Sequence, residues 1–221
     1  MVLGMIAGVG GYYLAAKAYR KAKAECPPFT KRVYTNSDEL VEAFGEFWRA
    51  PGVLRSIRDN ARIDRALAEK IMLAVSGVSG CRYCTYAHTR YAMRAGISRE
   101  EVEALLRGEF EYATVDQAPA LFFAQHYAER RGHPDPDLVQ RLVDTWGESG
   151  ARDLVAYIRL VTMGNLVGNT VDALASRVLG HPSPDTTVRD ELSVLAVFVF
   201  GVLPVMPLLM LCAALAPIPA E

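Results

Sequence analysis

Net charge is what this chain has least of. Its 221 residues carry 24 Lys and Arg against 25 Asp and Glu, a formal net charge of -1, so no basic field invites nucleic acid. Cysteine is scarce as well. Four in a chain of this length are too few for a secreted disulfide scaffold. Cys26 and Cys212 stand alone in the sequence and read as small buried hydrophobes. No segment alternates apolar and polar residues as a half-buried strand does, and nearly every stretch between the ends has helical periodicity. The expected class is all-α, and 51% hydrophobic content is enough for one sizeable core.

Two stretches lack charge altogether. Residues 2–16 are uncharged, and Lys17, Arg20, Lys21 and Lys23 follow. A secretory signal has its basic residues before the apolar run, not after it. The order here reads as an anchor with its basic flank in the cytoplasm; the rival reading is an apolar helix packed on a partner subunit. From Leu192 to Ile218 no charge appears, and Pro204 and Pro207 are expected to kink the run. That length qualifies as a transmembrane candidate, with a re-entrant hairpin or a tail buried in an oligomer as alternatives. Arg189 precedes it. Three parts are therefore expected: an anchor helix 1–24, a helical domain 25–182 on the cytoplasmic side, and an apolar segment 183–221.

Within the domain, Ser37-Asp38-Glu39 opens a helix that stops at Pro51-Gly52, and Asp64 caps a strongly apolar helix over 64–78. A Gly77–Gly80 turn should break that helix, and another starts at the cysteines and ends at Gly96. Ser98-Arg99-Glu100-Glu101 is a capping-box pattern for 99–107, whose charges to Glu111 look like a solvated face. Gln117–Arg131, Pro136–Trp146 and Ala151–Leu179 supply the rest. A weak internal repeat aligns Leu67–Gly77 with Leu154–Gly164. At that offset Glu69, Cys81, Cys84 and His88 become Ala156, Gly168, Val171 and Ala175. The second copy is expected to keep the helical hairpin and lose every reactive group.

The chemistry is concentrated in Cys81-Arg82-Tyr83-Cys84, with His88 four residues on and Glu69 twelve before. Helical spacing puts Cys81, Cys84 and His88 on one face. The first turn of a helix favours a thiolate through free N–H groups and the macrodipole. By that argument Cys81, nearer the helix start, is the better thiolate. His88 can take or return a proton, and Glu69, from the preceding helix, can orient it. A neighbouring thiol converts an oxidised cysteine to a disulfide and closes the cycle. Zinc held by Cys81, Cys84, His88 and Glu69 is the main rival, but structural zinc usually takes two ligand pairs and no second pair exists. A c-type haem needs histidine where Thr85 stands. No metal and no cofactor are expected beyond a redox-active disulfide. Tyr83 and Tyr86 read as packing residues, His126, His133 and His181 as structural, and Asn165 and Asn169 as residues that cap or bridge helices.

The spacing from Glu69 through Cys81-Arg-Tyr-Cys84 to His88 resembles the alkylhydroperoxidase-D-like branch of the carboxymuconolactone decarboxylase family, as does Asn165–Leu174 downstream. The likeness covers about residues 37–180. It implies a helical bundle assembled as trimers or higher homo-oligomers, reducing peroxides with a thiol reductant or working in relay with a peroxiredoxin-like protein. Carried over, Cys84 attacks the peroxide, Cys81 resolves, and Glu69 and His88 relay protons. The lactone decarboxylases proper lack the cysteine pair. Some relatives have histidine where Tyr83 stands. The expected protein is a membrane-attached dithiol peroxidase or disulfide reductase, with hydrophobic hydroperoxides or a protein disulfide as substrate; an accessory subunit of a membrane complex is the alternative.

Overall fold

The computed structural model describes residues 2–49 and 63–215, with side chains described for 14–49, 63–208 and Leu211. The expected stop at Pro51-Gly52 and the side chain of Cys212 lie outside those residues. The helices are α1 (Val2–Glu25), α2 (Ser37–Trp48), α3 (Arg65–Ser79), α4 (Arg82–Arg94), α5 (Arg99–Arg107), α6 (Ala118–Glu129), α7 (Pro136–Val178), α8 (Val188–Val197) and α9 (Leu203–Leu215). A π-helical turn, Phe198–Val202, joins the last two. No strand occurs among the described residues, and the protein is all-α as its periodicity indicates.

The centre of the bundle is α3, which packs against α4, α5, α6 and α7. Leu67, Ala68, Ile71, Leu73, Ala74 and Val75 cover most of its circumference and all are buried, each large aliphatic side chain contributing about 1.5–3 kcal/mol. Asp64 caps it by accepting the Leu67 N–H at 2.7 Å. Lys70 is the one charged residue among its buried positions, and it is met by Glu101 of α5 at 2.6 Å and by Gln117 at 3.1 Å. The charges of 99–111 are thus not all a solvated face, because Glu101 turns inward to pair with a buried ammonium.

Helix α3 does not break at Gly77. It runs to Ser79, because Gly77 is where α3 meets the backbone of α5: a Cβ there would run into the Leu106 carbonyl. Only Gly80 leaves the helix, at φ 65°, a left-handed conformation that suits glycine. The second copy of the repeat departs from the expected hairpin for the same reason. Val167 stands at the offset of Gly80; a β-branched residue resists that conformation, and α7 continues unbroken from Glu148 to Val178. Its one interruption is at Gly147 (φ 68°, ψ 167°).

A second apolar cluster joins α2, α7 and the C-terminal helices, with Tyr34, Leu40, Met163, Leu166, Val167, Val194 and Val202 buried together. Helix α8 begins with a capping box between Thr187 and Asp190. It is clamped to α7 by Glu191, wholly buried, whose carboxylate accepts from Arg177 Nε at 3.0 Å and Nη2 at 2.7 Å and from the Thr186 hydroxyl at 2.8 Å. The chain stays helical through Pro204 and Pro207. The wide π turn just before them absorbs the disturbance, with Leu203 N–H reaching back to the Phe198 carbonyl. Val188–Leu208 is long and apolar enough to cross a membrane. Its outer face is bare: Leu192, Phe200, Leu203 and Leu208 are exposed.

Candidate active site

The reactive residues collect where α3 ends and α4 begins. After Gly80 reverses the chain, Cys81 becomes the N-cap of α4, and its Sγ accepts the backbone N–H of Cys84 at 3.3 Å. Cys81 and Cys84 are joined as a disulfide with Cα atoms 5.3 Å apart. Cys81 is fully buried, and Cys84 is half-buried. The sulfurs therefore sit where free helical N–H groups and the positive end of the macrodipole favour a thiolate once the bond is reduced.

Glu69 of α3 and His88 of α4 meet at 2.7 Å, Glu69 Oε2 to His88 Nδ1, with both side chains mostly shielded. An ionised carboxylate only accepts, so Nδ1 carries the proton in this contact and Nε2 keeps its lone pair. One helical turn separates His88 from Cys84 on the same face. Tyr91 supports the imidazole edge-on, ring centroids 5.7 Å apart. Behind Glu69, the hydroxyl of Tyr157 on α7 donates to the Ala68 carbonyl at 3.2 Å. Burial pushes the Tyr157 phenol well above its ordinary range, with the charge of Glu69 adding to the effect.

Other side chains that border the cysteines come from α7 and were not evident in the sequence. Gly168 faces the disulfide so closely that a Cβ there would lie 2.7 Å from Cys81 Sγ and 3.7 Å from Cys84 Sγ. Asp172, one turn on, receives Lys31 at 2.6 Å and also pairs with Arg82. The hydrogen bond from Arg82 to the Tyr83 hydroxyl at 2.9 Å, followed by the charge of Asp172, raises the guanidinium above its usual range. Asn169 bridges as expected: its Nδ2 donates to the Arg32 carbonyl at 2.9 Å and to the Ser79 carbonyl at 2.8 Å, fixing the end of α3. Asn165 neither caps nor bridges: in mid-helix its Nδ2 donates back to the Val161 carbonyl one turn earlier, at 2.8 Å.

Tyr83 and Tyr86 do not pack inward. They are exposed on the outer face of α4, where Ala92 is the helix's buried contact, and they stack with Arg82 and Arg90. His126 pairs with Asp135 at 3.3 Å, and His181 Nε2 lies 3.3 Å from the Lys23 carbonyl. Cys26 is half-buried, its Sγ 3.8 Å from the Ser176 hydroxyl. Among the described residues no three His, Cys, Asp or Glu side chains converge in a way that would hold a metal ion.

The site is thus a Cys-x-x-Cys disulfide at a helix N-terminus of an all-helical domain, next to a His–Glu pair. Residues 43–126 match the carboxymuconolactone decarboxylase family. The chain is also 36% identical over 70 residues to the alkyl hydroperoxide reductase AhpD of Mycobacteroides abscessus. That match spans 32% of this chain and about two fifths (40%) of the relative. By these two partial matches the helical domain is similar to AhpD-like proteins of the carboxymuconolactone decarboxylase family. No solved structure matches the chain.

Proposed function

We propose that the protein is a membrane-attached thiol oxidoreductase that reduces hydroperoxides, or the disulfide of a partner protein, by cycling Cys81 and Cys84 between dithiol and disulfide. The observation that carries the reading is the Cys81–Cys84 couple at the start of α4, on the helix whose His88 meets Glu69 at 2.7 Å. Cys84 is the attacking thiol, since it is the more accessible of the two while Cys81 is sealed by α7. His88 takes the Cys84 proton at Nε2, with the imidazolium stabilised by Glu69. The thiolate attacks the distal peroxide oxygen: an S–O bond forms, the O–O bond breaks, and the leaving alkoxide takes the proton from His88 as an alcohol. The Cys81 thiol then displaces hydroxide from the sulfenic acid, giving the disulfide and water. Two electrons from an external dithiol restore the couple; where the substrate is the disulfide of a peroxiredoxin-like partner, the same electrons pass through Cys81 and Cys84 to it.

Membrane attachment is supported by the bare apolar face along Val188–Leu208 and by the uncharged run 2–16; the basic residues after that run, Lys17, Arg20, Lys21 and Lys23, favour the cytoplasmic side for the domain. The family likeness supports a homo-oligomer. The bare face also supports a second reading, an accessory subunit whose partner covers that helix.

Turnover of an organic hydroperoxide by the purified full chain, with a dithiol as reductant, tests the enzyme. Cys84→Ser should abolish the first step, whereas Cys81→Ser should accumulate a trappable sulfenic acid. Glu69→Gln and His88→Asn should slow turnover by about 10²-fold or more. Wild-type turnover no greater than that of the double serine variant refutes the reading. A stoichiometric membrane partner whose complex works normally without either cysteine would favour the second reading.

A further inference from the structure

A cleft of about 970 Å³ opens beside the end of α3, with Ser79 and Gly80 in one wall and Arg32 and Arg131 among its lining. Three features of the two arginines, Arg131 exposed and Arg32 half-buried, suit a bound anion. First, Arg32 is half-buried, and its guanidinium is pushed below its ordinary range by burial and then by the charge of Arg131, so two like charges converge. Second, neither guanidinium has a carboxylate within salt-bridge distance among the described residues, although Arg130 next door pairs with Asp135 at 3.4 Å. Glu39, the acid that bears on Arg32, is already engaged by the N–H and hydroxyl of Thr35 at 3.1 and 2.5 Å. Glu129, also in the lining, accepts from Gln125 at 2.8 Å. Asp185 stands in the lining as well.

Third, Arg131 has φ 54° and is the sole non-glycine residue with positive φ among those described. It follows α6 at a position that glycine occupies more comfortably. Gly132 comes next and is already left-handed at φ 88°, its N–H closing the helix onto the Tyr127 carbonyl at 2.8 Å. A strained backbone at one unpaired guanidinium, in the same cleft as a second, suits an anion shared by the two.

We propose that Arg32 and Arg131 form a binding site for an oxyanion, the carboxylate or phosphate of a small molecule, held in the cleft beside the end of α3. The fork of each guanidinium suits two oxygens of such a group. The binding claim does not depend on peroxide reduction.

Calorimetric titration of the full chain in non-ionic detergent with inorganic phosphate and, separately, with butyrate tests it, with sodium chloride at matched ionic strength as control. At least one oxyanion should bind and raise the melting temperature where chloride does not. Binding of phosphate alone assigns a phosphate ligand; binding of butyrate assigns a carboxylate. Arg32→Gln and Arg131→Gly should each weaken binding by at least about tenfold. Arg131→Gly also relieves the strained backbone, so its ligand-free melting temperature should rise by about 2–4 °C; loss of binding is then not loss of fold. The double serine variant of Cys81 and Cys84 should bind as the wild type does. No oxyanion binding beyond the chloride effect, or undiminished binding by Arg131→Gly, overturns the proposal.

Discussion

Adding one methyl group at Gly168 separates the packing of α7 on the cysteines from ordinary helix energetics. Both Gly164 and Gly168 lie within the unbroken part of α7, one turn apart. Around Gly164 nothing lies within 4 Å of a new Cβ, so Gly164→Ala should gain the full helix preference of alanine over glycine, about 1 kcal/mol. At Gly168 the same atom would fall 2.7 Å from Cys81 Sγ, where ordinary contact begins at 3.4 Å. Something must retreat by about 0.7 Å (3.4 − 2.7), and the sulfur is fully buried and bonded to Cys84. Overpacking of this kind costs about 1–3 kcal/mol. Gly168→Ala should therefore be less stable than Gly164→Ala by that amount, although the chemical change is identical. For a chain of this size each kcal/mol is worth about 2–4 °C in melting temperature. Thermal or urea unfolding of the two variants side by side measures the gap. Equal stability would refute the close approach of α7 to the disulfide.

Two further substitutions probe how the scaffold is held. Glu191→Gln leaves Arg177 without its counter-charge in a buried pair and should lower stability by about 2–4 kcal/mol; replacing both by apolar residues of similar size should recover most of the loss. An unchanged denaturation midpoint for the single variant would show the pair to be energetically idle. Asn169→Leu removes the donor shared by the Arg32 and Ser79 carbonyls and should cost about 1–3 kcal/mol. Hydrogen exchange should report loosening at the α3–α4 junction, and a loss spread evenly over the molecule would contradict the bridge.

Local signals were the most legible in the sequence. Asp64 and Ser98 were expected to open helices, and each accepts the backbone N–H three residues on. Helix α2 opens at Ser37 as expected, capped by Asn36, whose side chain accepts from both the Asp38 and Glu39 N–H groups. The vicinal cysteines, the histidine and the carboxylate could be picked out because a helix converts spacing into a face. Gly77 was misread because what it serves is another helix's backbone, which leaves no local trace. Gly168, Asp172 and Lys31 were missed for the same reason, as they lie far from the cysteines in sequence and reach them only when α7 and the 26–36 segment close over the site. Tyr83 and Tyr86 were read as apolar bodies in a helix, but α4 has one buried residue and leaves both rings in the open.

How the apolar C-terminal helix can meet a membrane is constrained by what already occupies its inner side. Val194 and Val202 are buried against Leu40 of α2 and Met163, Leu166 and Val167 of α7, and Glu191 is locked to Arg177. Lipid contact along α8 is therefore one-sided. Helix α2, packed alongside α8, carries Asp38 and Glu42 exposed to solvent, and ionised carboxylates do not enter a hydrocarbon core unpaired. The stretch through Val202 thus fits the headgroup region, and the helix can enter lipid only from Leu203 onward. The described part, Leu203–Leu215, carries no charge and is about 20 Å long at 1.5 Å per residue, against a hydrocarbon core of about 30 Å. The C-terminal helices run back along α7 from the clamp at Arg177 to Val202, which is buried with Met163, Leu166 and Val167, so Gly168 at the disulfide lies between these two levels. On the proposed attachment the dithiol then stands level with the part of the C-terminal helices that lies among the headgroups. A hydroperoxide group on an acyl chain, too polar for the bilayer interior, would be drawn toward that same level.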